Sequence, residues 1–309
     1  MSRLLIYSLA VIAALILVGE AVARYGLGLG TPPLSVAHPR IDYMFAPNQD
    51  VDRFGNRQLY NAYGMRNAPV SSWGDDRRVL VFGDSVLNGG NLTDHEELAT
   101  TIASDDVADA VFANISAGSW GPDNILGWMK TFGLLDADAV VLVLSSHDLG
   151  DAPQFAPLNP ATHPTETPVS ALYEGVVRYL PRYLPDAVGE VLRPAPGKRT
   201  LEGEITERPG REALPQIFRR LAAATVPACV VVHGTRSEMQ KDDPEELRTL
   251  QDLVSFYGVP TVAPFGDVSR SEVNALYRDD IHINDRGQRE LADAILKCDQ
   301  AATVPQMEG

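Results

Sequence analysis

One serine near the start of the chain and an aspartate and a histidine near its end are of the types, and in the surroundings, that acyl transfer requires. Ser85 closes the run Arg78-Val79-Leu80-Val81-Phe82-Gly83-Asp84-Ser85. An apolar, β-branched stretch that stops at Gly-Asp-Ser predicts a buried strand delivering a hydroxyl to a sheet edge, where the chain turns into a helix. A serine hydroxyl is a poor nucleophile near neutral pH unless a base takes its proton. The segment Tyr277-Arg278-Asp279-Asp280-Ile281-His282-Ile283-Asn284 offers that base. Asp279 lies three residues before His282, so one short turn can aim the carboxylate at one imidazole nitrogen and leave the other free for Ser85.

Such a site needs a scaffold, and the chain from Arg78 onward alternates between two patterns. Apolar runs at 79–82, 111–115, 139–144, 228–232 and 260–263 predict buried strands. Between and after them, 95–104, 123–135, 212–224, 243–257 and 285–298 predict helices. Continuous apolar strands separated by amphipathic helices imply an α/β fold, a three-layer α/β/α sandwich around a parallel sheet. Active sites in such sheets gather at the carboxyl ends of strands, where Ser85 and His147 both fall. Residues 151–209 interrupt the rhythm with many prolines and one helical candidate at 169–179. The insertion leaves directly after His147 and Asp148, so it is placed to roof the site or to form a surface loop. Residues 26–75 read as a linker and a small β extension in which no chemistry is evident. The catalytic domain is assigned to 76–300 and a tail to 301–309.

Composition narrows the function classes. With 309 residues and 45% hydrophobic content the chain can bury a full core, so it is no peptide-sized module. A net charge of −15 without a basic run argues against nucleic acid as a partner. Cys229 sits in an apolar run and reads as a buried structural thiol, and its pairing with Cys298, the other cysteine, is left open. No cofactor motif is present. Asp84, His147, Asp148, Asp279 and His282 could in principle gather a divalent metal, but no spaced motif such as His-x-x-x-His supports one, and none is assigned. His233 reads as structural, and His38, His95 and His163 as solvated.

The amino terminus departs from a soluble pattern. Residues 4–19 are almost wholly apolar, follow Arg3 and precede Glu20. The stretch is longer than the ~7–15 residues of a signal-peptide core and slightly short of the ~20 that span a bilayer. Ala21, Val22 and Ala23 either extend the span to residues 4–23 or supply an Ala-x-Ala cleavage site, so residues 1–25 are read as a signal anchor or a signal peptide. Both outcomes place the remainder outside the cytoplasm, tethered to the membrane or, after cleavage at Ala23, secreted.

The blocks around Ser85 and His282 resemble those of the SGNH, or GDSL, hydrolases. Gly83-Asp84-Ser85 matches the nucleophile block and Asp279-Asp280-Ile281-His282 the closing Asp-x-x-His. The resemblance implies a flavodoxin-like sandwich, a Ser85-His282-Asp279 triad and an oxyanion hole built from the Ser85 amide and two further donors. The second block, Asn114-Ile115-Ser116-Ala117-Gly118-Ser119, puts Ser119 on the family's glycine without a gap, or Gly118 after a shift of one. In the third, Ser145-Ser146-His147-Asp148, His147 takes the place of the family's asparagine, and imidazole can also donate an N–H there. Asp84 and Asp148 are read as supporting the turns around the site. By resemblance to membrane-anchored bacterial members linked to polysaccharide O-acylation, the expected reaction is ester hydrolysis or O-acyl transfer, with acetyl esters of an envelope or exported polysaccharide as substrate. The competing reading is a noncatalytic, envelope-anchored carbohydrate-binding or assembly protein that keeps the fold. The oligomeric state is not legible.

Overall fold

The structure, a computed structural model, describes residues 3–192, 208–241, 244–265 and 268–303. The prolines at 194 and 196, the helix start at 243 and residues 304–309 of the tail lie outside them.

The chain opens with α1 (Arg3–Ala21), continued by one wider turn to Gly26. None of the α1 side chains is buried against the protein, and the span Arg3–Gly26 is long and apolar enough to cross a membrane. Two antiparallel hairpins follow, β1 (Ser35–His38) with β2 (Asp42–Phe45) and β3 (Gln49–Arg53) with β4 (Asn56–Tyr60). The main sheet comprises β5 (Arg77–Gly83), β6 (Ala110–Ser116), β7 (Ala139–Leu144), β8 (Ala228–Val232) and β9 (Thr261–Val262), all parallel, in the order β6-β5-β7-β8-β9. The sandwich expected from the alternating patterns is therefore present, with its last strand trimmed to two residues.

The helices of this region, in chain order, are α2 (Ser85–Asn88), α3 (Ala99–Asp106), α4 (Pro122–Phe132), α5 (Ala171–Glu174), α6 (Asp186–Leu192), α7 (Gly210–Ala223), α8 (Glu245–Phe256), α9 (Arg270–Val273) and α10 (Asp285–Thr303). β7 shows why the sheet is buried on both faces. Val140, Leu142 and Leu144 point into a core shared with α4, α7 and α8, whereas Ala139, Val141 and Val143 point into one shared with α3 and α10. All six are at most 1% exposed. Each fully buried valine or leucine contributes about 1.5–3 kcal/mol, so the central strands are the firmest support available to a site at their ends.

Three expectations need correction. The helix expected over 95–104 is broken, because Asp94 caps a short turn at His95–Glu97 and α3 starts only at Ala99. His95 is also buried rather than solvated. Cys229 on β8 is no free thiol: it is bonded to Cys298 on α10, with Cα atoms 5.5 Å apart.

Candidate active site

Ser85 begins α2 immediately beyond β5, the strand flanked by β6 and β7, so the central strands aim it at the carboxyl edge of the sheet. Asp84 fixes the turn, its Oδ1 accepting the N–H of Val86 at 2.8 Å. Gly89 ends this single turn of helix with φ at 71°, and a Cβ there would come within 2.8 Å of the Thr93 side chain. Glycine satisfies both demands.

His282 arrives from the opposite end of the chain on a tight loop between a short helical turn at Asn274–Leu276 and α10. Tyr277 and Ile283 form an antiparallel bridge, and the N–H of Arg278 donates to the His282 carbonyl at 2.7 Å. Gln288, buried on α10, donates to the Val86 carbonyl at 2.8 Å and accepts the Ala99 N–H at 3.0 Å, tying the helix that follows His282 to the one that carries Ser85. The result is a connected row: His282 Nε2 stands 3.0 Å from Ser85 Oγ, and His282 Nδ1 stands 2.8 Å from Asp279 Oδ2. With the ring proton on Nδ1 donated to Asp279, Nε2 is left to accept the serine hydroxyl. Partial desolvation would raise the Asp279 carboxyl, but the His282 N–H and ring and the Ile281 N–H outweigh it and hold it at about 2. The orienting group is thus a carboxylate throughout the neutral range.

The expected oxyanion donors are only partly brought together. Ser119 lines the same cleft as Ser85 and His147, with φ at 57°. Gly118 is not on the cleft wall; its carbonyl accepts the Tyr43 hydroxyl. Of the two positions the sequence leaves open, Ser119 is the one on the cleft wall, a serine in the left-handed conformation that ordinarily favours glycine. His147 reaches the cleft from the turn after β7 (residues Ser146–Leu149). Its Nδ1 lies 2.7 Å from Ser145 Oγ, and its Nε2 lies 3.6 Å from Asp84 Oδ2. The Asp84 carboxylate raises the imidazole to about 9; burial opposes this, and Asp148 and Asp151 reinforce it. The raised titration point favours the imidazolium, whose two nitrogens face Ser145 Oγ and the Asp84 carboxylate.

Asp148 accepts the Ser145 N–H at 2.6 Å and the Ser145 hydroxyl at 3.1 Å, closing the turn. Its own burial and the neighbouring Asp84 charge push its carboxyl up, to about 8. Gly210 at the start of α7 packs against this turn, where a Cβ would lie 1.8 Å from the Asp148 carbonyl oxygen. His233, at the end of β8, is buried below the site, and neither ring nitrogen has a hydrogen-bond partner among the described residues. Of the five residues weighed for a metal, Asp84, His147 and Asp148 bring ligand atoms within 4.8 Å of one another, whereas Asp279 and His282 do not join them. Asp84 and Asp148 also accept the N–H groups of Val86 and Ser145, and His147 faces Ser145 Oγ.

The insertion does wall the site. Residues from Ala152 to His163 line a cleft of about 580 Å³ that ends at Ser85 and His282. A second cleft, about 500 Å³, reaches Ser85 and His282 from the other side and is lined by Arg178, Tyr179 and Arg182. His163, read as solvated, is half-buried in the first cleft, its ring centroid 4.3 Å from that of Tyr43.

Sequence reasoning missed the contribution of the small β extension. Tyr43 comes from β2, and Arg66, fully buried, follows β4. Arg66 donates to the carbonyls of Asn88, Gly90 (2.7 Å) and Thr93 (2.6 Å), gripping the loop that follows α2. A lone arginine among aromatic and turn residues carries no motif, so nothing in the sequence marks it.

No protein-family model matches the chain, and no curated protein matches it. Among solved structures the chain is similar to a lipolytic protein of the G-D-S-L family from Veillonella parvula, with 10% identity over 72% of this chain and 97% of that one and a TM-score of 0.38. A G-D-S-L lipolytic protein from Desulfitobacterium hafniense matches at 6% identity over 72% and 99%, with a TM-score of 0.42. A variant of an acetyl-xylooligosaccharide esterase from Geobacillus matches at 11% identity over 73% and 94%, with a TM-score of 0.40. The two end blocks in which the chain resembles the SGNH/GDSL hydrolases, Gly83-Asp84-Ser85 and Asp279-Asp280-Ile281-His282, are the ones the fold brings together here.

Proposed function

We propose that the chain is an SGNH-type serine esterase acting through Ser85, His282 and Asp279. The observation that carries this reading is the hydrogen-bonded row from Asp279 through His282 to Ser85, with separations of 2.8 and 3.0 Å. A binding surface has no need of a nucleophile, a base and an orienting carboxylate in contact. In the reaction, His282 takes the Ser85 proton as Oγ attacks an ester carbonyl, and Asp279 stabilises the imidazolium. The amides of Ser85 and Ser119 and the N–H of His147 receive the oxyanion. Collapse expels the alcohol, protonated by His282, and leaves an acyl-serine, which water then releases as the acid.

The substrate proposed is an acetylated polysaccharide of the envelope or one that is exported. The larger cleft supports a carbohydrate, since Gln154, Asn159, Thr162 and His163 offer hydrogen-bonding groups beside the Tyr43 ring. The disulfide supports export, because such bonds persist in oxidising compartments, and α1 supports a membrane tether. Transfer to a sugar hydroxyl would use the same acyl-serine with a different acceptor. The test is Ser85→Ala: hydrolysis of p-nitrophenyl acetate should fall to the buffer rate while the circular dichroism spectrum is kept. Activity retained by the folded variant would exclude Ser85 as nucleophile.

A further inference from the structure

The insertion carries its polarity inside out. From Val169 onward, the neighbours Leu172 and Tyr173, then Val176, Leu180 and Tyr183 follow at steps of three or four residues and are all exposed, Val169 at 88% and Tyr183 at 84%. Each step is about one turn of the chain's path here, which runs as α-helix over Ala171–Glu174, as a wider turn to Tyr179 and as a tighter one to Tyr183. The opposite face is charged and buried. Glu174 is fully buried and pairs with Arg53 of β3 at 2.6 Å, with both side chains at 0% exposure, and it also accepts Arg178 and the Gly30 N–H. Val188 and Val191 of α6 extend the exposed apolar surface, Val191 at 82%. A helix facing water would place its apolar residues inward and its ions outward.

What covers this face is indicated by its continuity with α1. Glu20, in the last turn of α1, accepts the N–H groups of Ala171 at 3.0 Å and Leu172 at 2.9 Å. Leu172 also packs on Gly19, its Cδ2 3.6 Å from where a Cβ would stand. Ala23, Leu29 and Ala171 form a small buried cluster at the same junction. The apolar stripe therefore begins where the apolar span ends.

We infer that residues 169–191 lie on the surface of the bilayer that α1 enters, with the apolar stripe in the lipid interface. This rests on reading α1 as an anchor. Tyrosines at positions 173 and 183 suit that depth, since their rings accept an apolar surround and their hydroxyls stay wet. One consequence concerns the active site. Arg178, Tyr179 and Arg182 of the same segment line the second cleft to Ser85, so that cleft opens within a helix's width of the membrane, and a substrate held at the membrane surface reaches the nucleophile without the enzyme leaving it.

The test uses the full chain in phosphatidylcholine vesicles. A single environment-sensitive fluorophore is placed through Tyr183→Cys, Val191→Cys or, as a control on the exposed side of α8, Asp252→Cys. The inference expects a blue shift, and quenching by a lipid carrying a nitroxide near its headgroup, at positions 183 and 191 but not at 252. Equal quenching at all three positions overturns it, as does failure of the chain to float with the vesicles. Ester hydrolysis measured on the same samples separates the two readings. Quenching without hydrolysis sinks the esterase alone, and hydrolysis with equal quenching sinks the interfacial placement alone.

Discussion

His147 Nε2 stands 3.6 Å from the Asp84 carboxylate, on the wall of the cleft that holds Ser85. The carboxylate favours the charged form of the imidazole. Its charge must therefore fade with alkaline pH. Imidazole ordinarily titrates near 6.5 and here near about 9, so the pairing stabilises the fold fully below 6.5 and is lost as pH rises through about 9. Melting temperatures of wild type and His147→Asn, recorded between these two values and beyond, should show a steeper alkaline decline for wild type. Parallel curves would mean that the ring is not held charged. The turnover of His147→Ala should fall by about 10²–10³, the usual effect of deleting one oxyanion donor.

Arg66 makes a second prediction. Its guanidinium is buried and holds three carbonyls of the loop after α2. Arg66→Met fills similar volume but leaves those acceptors unpaired, at a cost of about 1–3 kcal/mol for each one that water cannot reach. Urea unfolding should show a midpoint well below that of wild type, with reduced turnover in the folded fraction. A midpoint unchanged from wild type would show that the grip is dispensable.

The disulfide gives a third. Cys229 and Cys298 close a loop of 69 residues between the central sheet and the last helix, the one that follows His282. Removing such a crosslink typically costs about 2–4 kcal/mol, in the entropic account because the unfolded chain regains freedom. Cys298→Ala paired with Cys229→Ala should lower the thermal midpoint, and the reducing agent that lowers the wild-type midpoint should leave the double variant's unchanged.

Much of this site was legible because the sheet speaks locally. β7 is apolar at every position and β5 runs into Gly83-Asp84-Ser85, so strand, turn and candidate nucleophile can be read from neighbouring residues. The Asp279-x-x-His282 spacing is equally local. What could not be read depends on partners distant in sequence. Arg66 acquires meaning only through carbonyls at positions 88 to 93, and Glu174 only through Arg53. The same holds for the Cys229–Cys298 bond and for His95, which the fold buries against expectation. Ser119 was ambiguous for another reason. Its left-handed backbone favours a glycine, and the adjacent Gly118 offered itself as that residue.

The central claim is that His282 activates Ser85, and covalent labelling tests it most directly. Intact-mass and peptide analysis after exposure to a fluorophosphonate should find one adduct, on Ser85, in the wild-type chain, with labelling greatly slowed in His282→Ala. A folded wild-type protein that forms no adduct at Ser85 would contradict the account.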